Sequence, residues 1–192
     1  MIETERFAIV EVRSALDLRA WLAEHHAQPD SVWLVTFKKH TGPAYVSKTE
    51  VLDELICFGW VDGLARKLDA DRTMQLISPR QMHAWAQTYR NRAAQLEREG
   101  RMQPPGRSAI EHAKSTGLWM ATAEVDALVI PPDLLAALNA RPPAKHQFMA
   151  FAPSHRRNVL RWIASAKRAG TRTARVEKTV VLAALGKRVP QL

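Results

Sequence analysis

The run Ser31–Lys39, SVWLVTFKK, places Val32, Trp33, Leu34, Val35 and Phe37 almost consecutively. Alternate residues of a strand point to opposite faces, so this strand is apolar on both sides. It is predicted to lie centrally in a sheet covered on at least one side. The neighbouring segments supply the rest of such a layer. Arg6–Val12 (RFAIVEV) reads as a strand. Ser14 then caps a helix with Asp17 in its first turn and Leu16, Leu18, Trp21 and Leu22 on its apolar side, until Pro29-Asp30-Ser31 breaks it. Thr41-Gly42-Pro43 is a loop. Ser47-Lys48-Thr49-Glu50 is a capping box, and the helix it opens carries Val51, Leu52, Leu55 and Ile56 towards Phe58, with Gly59 as a left-handed cap. WVDGLARKL and TMQLIS form a hairpin around Asp69–Asp71.

Ser78-Pro79 reads as a further helix start, with proline in the first helical position and Gln81 completing a weak box. That helix is predicted to run through Trp85, Tyr89 and Leu96 to Gly100. MQPPG follows as a rigid connector, and another helix spans about 107–116 before Gly117. Pro131-Pro132 and Pro142-Pro143 each start a short helix. Residues 153–187 read as a helical hairpin with Ser154 as N-cap, Ala169-Gly170 as the turn and Gly186 as the last cap. Val159, Ile163 and Ala166 share a face of its first helix; Val176, Val180 and Ala183 share a face of the second. All eight glycines fall at predicted turns, loops or caps. The expectation is an α+β protein: a body over 1–125, with a small mixed or antiparallel sheet packed with helices, then a helical region over 126–192 ending in the hairpin.

Charge separates the same two parts. Up to residue 140 there are 16 Lys/Arg against 18 Asp/Glu; beyond it, 12 against Glu177 alone, within a total net charge of +9. The single cysteine, Cys57, excludes an internal disulfide and multi-cysteine metal or redox motifs, and reads as a buried structural thiol. The N-terminus has acidic residues and no long apolar run, and no segment approaches the length of a membrane helix. The expectation is a cytoplasmic protein that does not insert into membranes. Nucleotide loops, nucleophile elbows and zinc-binding helix motifs are absent. The seven histidines are scattered. No metal, cofactor or catalytic residue is assigned.

Two clusters remain. Trp60, Asp62 and Arg66 alternate along one strand and would share a face, unless Asp62-Gly63 bulges it. They either brace the hairpin as an Asp–Arg pair under a tryptophan or, with Trp85, line a small-ligand pocket in which Arg80, at a helix N-terminus, meets an anion. In the basic hairpin, Arg157, Arg161 and Arg168 are expected on one helix face, and Arg172 and Arg175 on the next. Such a stripe is a solvated or internally paired surface, or a phosphate-binding one.

The order of Trp21-Leu22, Trp33-Leu34, Phe58-Gly59-Trp60, Asp62-Gly63, Pro79-Arg80, Trp85, Gly100 with Met102, and Thr171-Arg172 with Arg175 resembles the bacteriocin-protection, YdeI/OmpD-associated (OmdA) family, from Trp21 to Lys187. The resemblance implies a bacterial stress-protection protein without assigned catalytic residues. Its pattern after Pro-Arg is Ser-x-Trp-Ser-x-x-Asn. Here His83-Ala84-Trp85-Ala86-Gln87-Thr88-Tyr89 keeps the tryptophan and loses the hydroxyls and amide. The reading is therefore a non-enzymatic protein, linked to bacteriocin, antimicrobial-peptide or envelope-stress protection, that binds a small ligand or a protein. The alternatives are nucleic-acid binding through the basic hairpin and an enzyme using Asp62 as acid or base.

Overall fold

In the computed structural model, which describes residues 6–190, the doubly apolar run forms β2 (Val32–Phe37). The sheet has the order β1-β2-β4-β3, with β1 at Ile9–Glu11, β3 at Trp60–Lys67 and β4 at Arg72–Pro79. β1 pairs parallel to β2 through the crossover helix α1 (Ala15–His25), and the other two ladders are antiparallel. The fold is α+β with a mixed sheet. Leu34 and Ile77 face a helix-covered core shared with Leu18, Leu22, Leu55 and Ile56. Trp33, Val35 and Met74 form a second small cluster with Phe7 and Leu76. Both faces of β2 are thus buried, as its composition requires.

Local signals at the helix starts are obeyed where the side chains have no better partner. The Ser14 hydroxyl accepts from the Asp17 amide at 3.0 Å. In α2 (Lys48–Cys57) both bonds of the capping box form, Ser47 N to Glu50 Oε2 at 2.8 Å and Glu50 N to Ser47 Oγ at 3.2 Å. Ser78-Pro79 behaves differently. These residues finish β4, the Ser78 hydroxyl bonds that of Ser31 at 2.7 Å, and the Arg80 amide continues the ladder to Gly59 O at 2.9 Å. A proline at a strand end gives up no ladder bond, so the motif fits a strand terminus as well as a helix start. The helix expected there, α3, begins only at Gln87 and ends at Arg98.

MQPPG is not a connector: Pro104-Pro105-Gly106 is the first turn of α4 (Pro104–Ser115). A Cβ on Gly106 would lie 2.2 Å from the Cys57 carbonyl oxygen, and one on Gly59 (φ +72°) 2.9 Å from Pro105 O. The C-terminus of α2 and the first turn of α4 therefore meet backbone to backbone, and the Gln103 amide donates to Cys57 O at 3.1 Å.

The described residues divide into two units between Met120 and Ala121, where the sequence had placed a boundary after residue 125. The second unit is helical: α5 (Ala123–Asp126), α6 (Pro132–Asn139), α7 (Pro142–Ala150), α8 (Pro153–Ala164) and α9 (Ala169–Ala184). Proline stands in the first turn of α6, α7 and α8, where its missing N–H costs nothing. Leu134, Leu138, Phe148, Val159, Ile163, Val176, Val180 and Ala183 fill the core. Ala152, not Ser154, precedes α8; Ala166 lies beyond its end; Ala169-Gly170 opens α9 instead of turning before it.

Gly106→Ala is expected to cost about 3 kcal/mol, because the new methyl meets backbone that cannot yield. Gly170→Ala, whose Cβ meets nothing within 4 Å in the first turn of α9, should gain about 0.5 kcal/mol. Urea denaturation of both variants checks the pair.

Candidate functional site

Asp62 opposes Ile77, but the next partners are Ala65 and Gln75, so β3 holds one more residue than β4 between these points. This bulge reverses the alternation beyond Gly63. Asp62 stays on the Ile77 side, whereas Arg66 opposes Met74 and lays its guanidinium over the Trp33 ring at 5.3 Å. The expected alignment of Trp60, Asp62 and Arg66 is not formed. Trp60 is also withdrawn: its ring is buried edge-on to Trp21 at 5.6 Å, and its Nε1 donates to His26 O at 3.1 Å.

Asp62 is instead joined to Arg80 and Trp85 through Tyr89, which was read in the sequence only as a helix residue. Tyr89 Oη donates to Asp62 Oδ1 at 2.5 Å, and Gln75 Nε2 reaches Oδ2 at 3.4 Å. Arg80 follows β4 in irregular backbone, not at a helix N-terminus, and is 7% exposed. Its guanidinium lies between the Trp85 ring at 4.3 Å and the Tyr89 ring at 4.8 Å. Nη1 donates to Ala84 O at 3.3 Å, while Nε and Nη2 make no hydrogen bond. Burial pushes the Arg80 pKa down, and the nearby Tyr89 and Asp62 partly restore it. Arg80 is a buried backing group, and Asp62 is the half-buried end of the series.

Asp62 borders a cavity of about 420 Å³ whose lining includes Leu34 and Thr36 of β2, Lys48 of α2, Lys67 of β3 and Gln75 of β4. Arg66 also borders it; Trp60, Arg80 and Trp85 do not. A carboxylate fixed by a phenol and an amide, with two lysines around the same space, is suited to holding a small polar molecule with charges of both signs.

A second polar group was not recognised in the sequence. Asp53 and Glu54 sit on consecutive positions of α2, yet their side chains are only 4% and 5% exposed. Arg92 of α3 binds Asp53 through two nitrogens, each at 2.5 Å. Arg101 reaches Asp53 at 3.2 Å and Glu54 at 2.8 Å, and Arg19 of α1 reaches Glu54 at 2.8 Å. The available signal was a pair of acids inside the apolar run Val51–Phe58, with no polar face to take both. Cys57, one turn on, is fully buried; burial first, and then the charge of Glu54, pushes its thiol up to about 11.

The five arginines of the basic hairpin do not make one stripe. Arg172 clamps Asp133 through Nε at 2.6 Å and Nη2 at 2.9 Å, which holds the Asp133 carboxyl below its usual pKa. Arg175 stacks over Trp162 at 5.1 Å and donates to Trp162 O and to Ser165 Oγ. Arg168 precedes α9 and lies outside α8, while Arg157 and Arg161 remain on α8. Of these five charges, Arg172 is neutralised by an acid within the unit.

Residues 10–109, just over half of the chain, match a family model described as a domain of unknown function, DUF8412, and the chain belongs to that family. Residues 127–186 match the bacteriocin-protection, YdeI or OmpD-associated (OmdA) family model, so the second unit carries an OmdA domain. The resemblance from Trp21 to Lys187 is thus divided between two models, and the Asp62 site lies in the DUF8412 part. No curated protein and no solved structure matches the chain. No helix among the described residues is long and apolar enough to cross a membrane.

Asp53→Ala should lower the unfolding free energy by about 2 kcal/mol, since it leaves the part-buried Arg92 without its carboxylate while Arg101 keeps Glu54; thermal or chemical denaturation measures it. Cys57 should stay unreactive to Ellman's reagent at pH 8 in the native protein and yield one thiol in denaturant, because a pKa raised to about 11 leaves the thiol protonated and burial blocks access.

Proposed function

We propose that this chain is a non-enzymatic, cytoplasmic YdeI/OmpD-associated-like protein that acts in protection against bacteriocins, antimicrobial peptides or envelope stress by binding a small ligand beside Asp62. The observation that supports the binding role is the carboxylate held by Tyr89 and Gln75 at the edge of the cavity. Its donors fix its direction, and Arg80, stacked behind Tyr89, keeps the phenol in place. The ligand class that fits is a small zwitterion, amino-acid-like or a short peptide, with its ammonium on Asp62 and its acidic group towards Lys48 or Lys67. The protective role and its association with the OmdA name are supported by the match over residues 127–186.

Thermal-shift titration with the common amino acids and dipeptides tests the binding role. At least one ligand should raise Tm by about 2–4 °C for each kcal/mol of linkage at saturating concentration. Asp62→Asn, which keeps the size of the side chain, should weaken that ligand at least tenfold. Absence of any shift, or an equal shift in Asp62→Asn, overturns the proposal.

A further inference from the structure

Among the described strands, β3 stands at an edge of the sheet with one side unpaired. Lys38 N donates to Asp71 O, which fixes the phase of the β2–β4 ladder: Thr73, Gln75 and Ile77 turn their backbone groups towards β2. Arg72, Met74 and Leu76 then turn theirs towards β3, and the Leu68 amide donating to Arg72 O agrees with this phase. Asp62, Ala65 and Lys67 oppose Ile77, Gln75 and Thr73, so their own N–H and C=O groups point away from the sheet. All three residues also border the cavity of about 420 Å³. The bulge makes them one series. It absorbs one residue, so Asp62 and Ala65 lie two β4 positions apart, about 7 Å. That is the step between alternate residues of an extended chain.

The surroundings of this edge have a definite chemistry. Lys48 and Lys67 border the cavity, and neither ammonium has a hydrogen bond or an ion pair among the described residues. Asp62 retains acceptor capacity beyond its bonds to Tyr89 and Gln75. Ala65, exposed and the smallest of the three, leaves room for a neighbouring side chain on the cavity face. Leu64, on the opposite face, is 47% exposed.

We propose that β3 accepts an added strand from the N-terminal segment of an extended peptide running parallel to it. The α-ammonium sits at Asp62, an apolar second residue lies on Leu64, and an acidic third residue enters the cavity beside Ala65, towards Lys48 and Lys67. This deepens the small-ligand reading of the Asp62 cavity and rests on it for the direction of the peptide. In a parallel pairing of this register, the amides of the second and fourth peptide residues donate to β3, and the amide of the third points to solvent. A second copy of β3 fits less well, because it would set the Arg66-Lys67 cations of both copies side by side.

Isothermal titration of the full chain with the amidated pentapeptide Thr-Val-Glu-Val-Thr tests the pairing. A Kd of about 0.1 mM or tighter is expected, at least tenfold below that of Thr-Val amide. N-methylation at the fourth residue should cost at least about tenfold, and N-methylation at the third less than about threefold. Glutamine in place of the peptide's glutamate, or the double variant Lys48→Gln/Lys67→Gln at two exposed positions, should also cost about tenfold. A pentapeptide no tighter than the dipeptide, or equal losses from the two N-methylations, overturns the strand pairing and leaves the small-ligand reading standing. Unchanged affinity in the lysine double variant overturns the placement of the acidic residue. An N-acetylated pentapeptide that binds as tightly as the free one overturns the small-ligand reading at Asp62, while the contrast between the two N-methylations still upholds the pairing.

Discussion

Asp53 and Glu54 can be buried on one turn of α2 only because Arg19, Arg92 and Arg101 reach them from three other parts of the chain. Charges removed from water must be paired with good geometry, and here each carboxylate has at least two donors or cations. The group therefore acts as a positional constraint on the sheet's helical cover. Arg92 pins α3 against α2, and Tyr89 lies three residues earlier on the same helix, close to the same side. The direction of the Tyr89 phenol, and through it the setting of Asp62, follows from where Arg92 is held. Hydrophobic burial gives this unit its stability, but the ionic group decides how its helices are placed.

The approach of α2 to α4 is the second constraint. It uses backbone instead of charge: a left-handed glycine on one side and a helical glycine on the other remove the side chains that would keep the two segments apart. Both constraints act at the C-terminal half of α2, beside the fully buried Cys57. A thiol held protonated in this position behaves as a small apolar side chain.

Much of the fold was legible because its signals are local. The Ser47 box, the Gly59 cap, the apolar β2 and the Asp62-Gly63 bulge dipeptide all act within a few residues of themselves. Ser78-Pro79 misled because strand ends and helix starts both tolerate proline, and the partner that decided between them, Ser31, is 47 residues away. The candidate site was legible only in part: of the five residues singled out, Asp62 and Arg66 border the cavity. Asp62, Arg80 and Trp85 do belong to one series, but Tyr89 joins them, while Trp60 serves the core and Arg66 covers Trp33. The burial of Arg80 between two rings and of the Asp53–Glu54 pair was hidden for one reason: a charged side chain reads as solvent-facing until its distant partners or aromatic walls are known. The surplus of cations after residue 140 misdirects in the same way, because Asp133, across the unit, already holds one of them.

The single extra residue in β3 also separates what the two ends of that strand can afford to change. Before Gly63, odd and even positions obey one assignment of inside and outside; after it, the opposite one. Asp62 and Arg66, four residues apart, consequently answer to different surroundings. Substitution at Asp62 can retune the cavity while the cation over Trp33 stays in place. A strand without that insertion would put both side chains on one face and leave Trp33 without its cation.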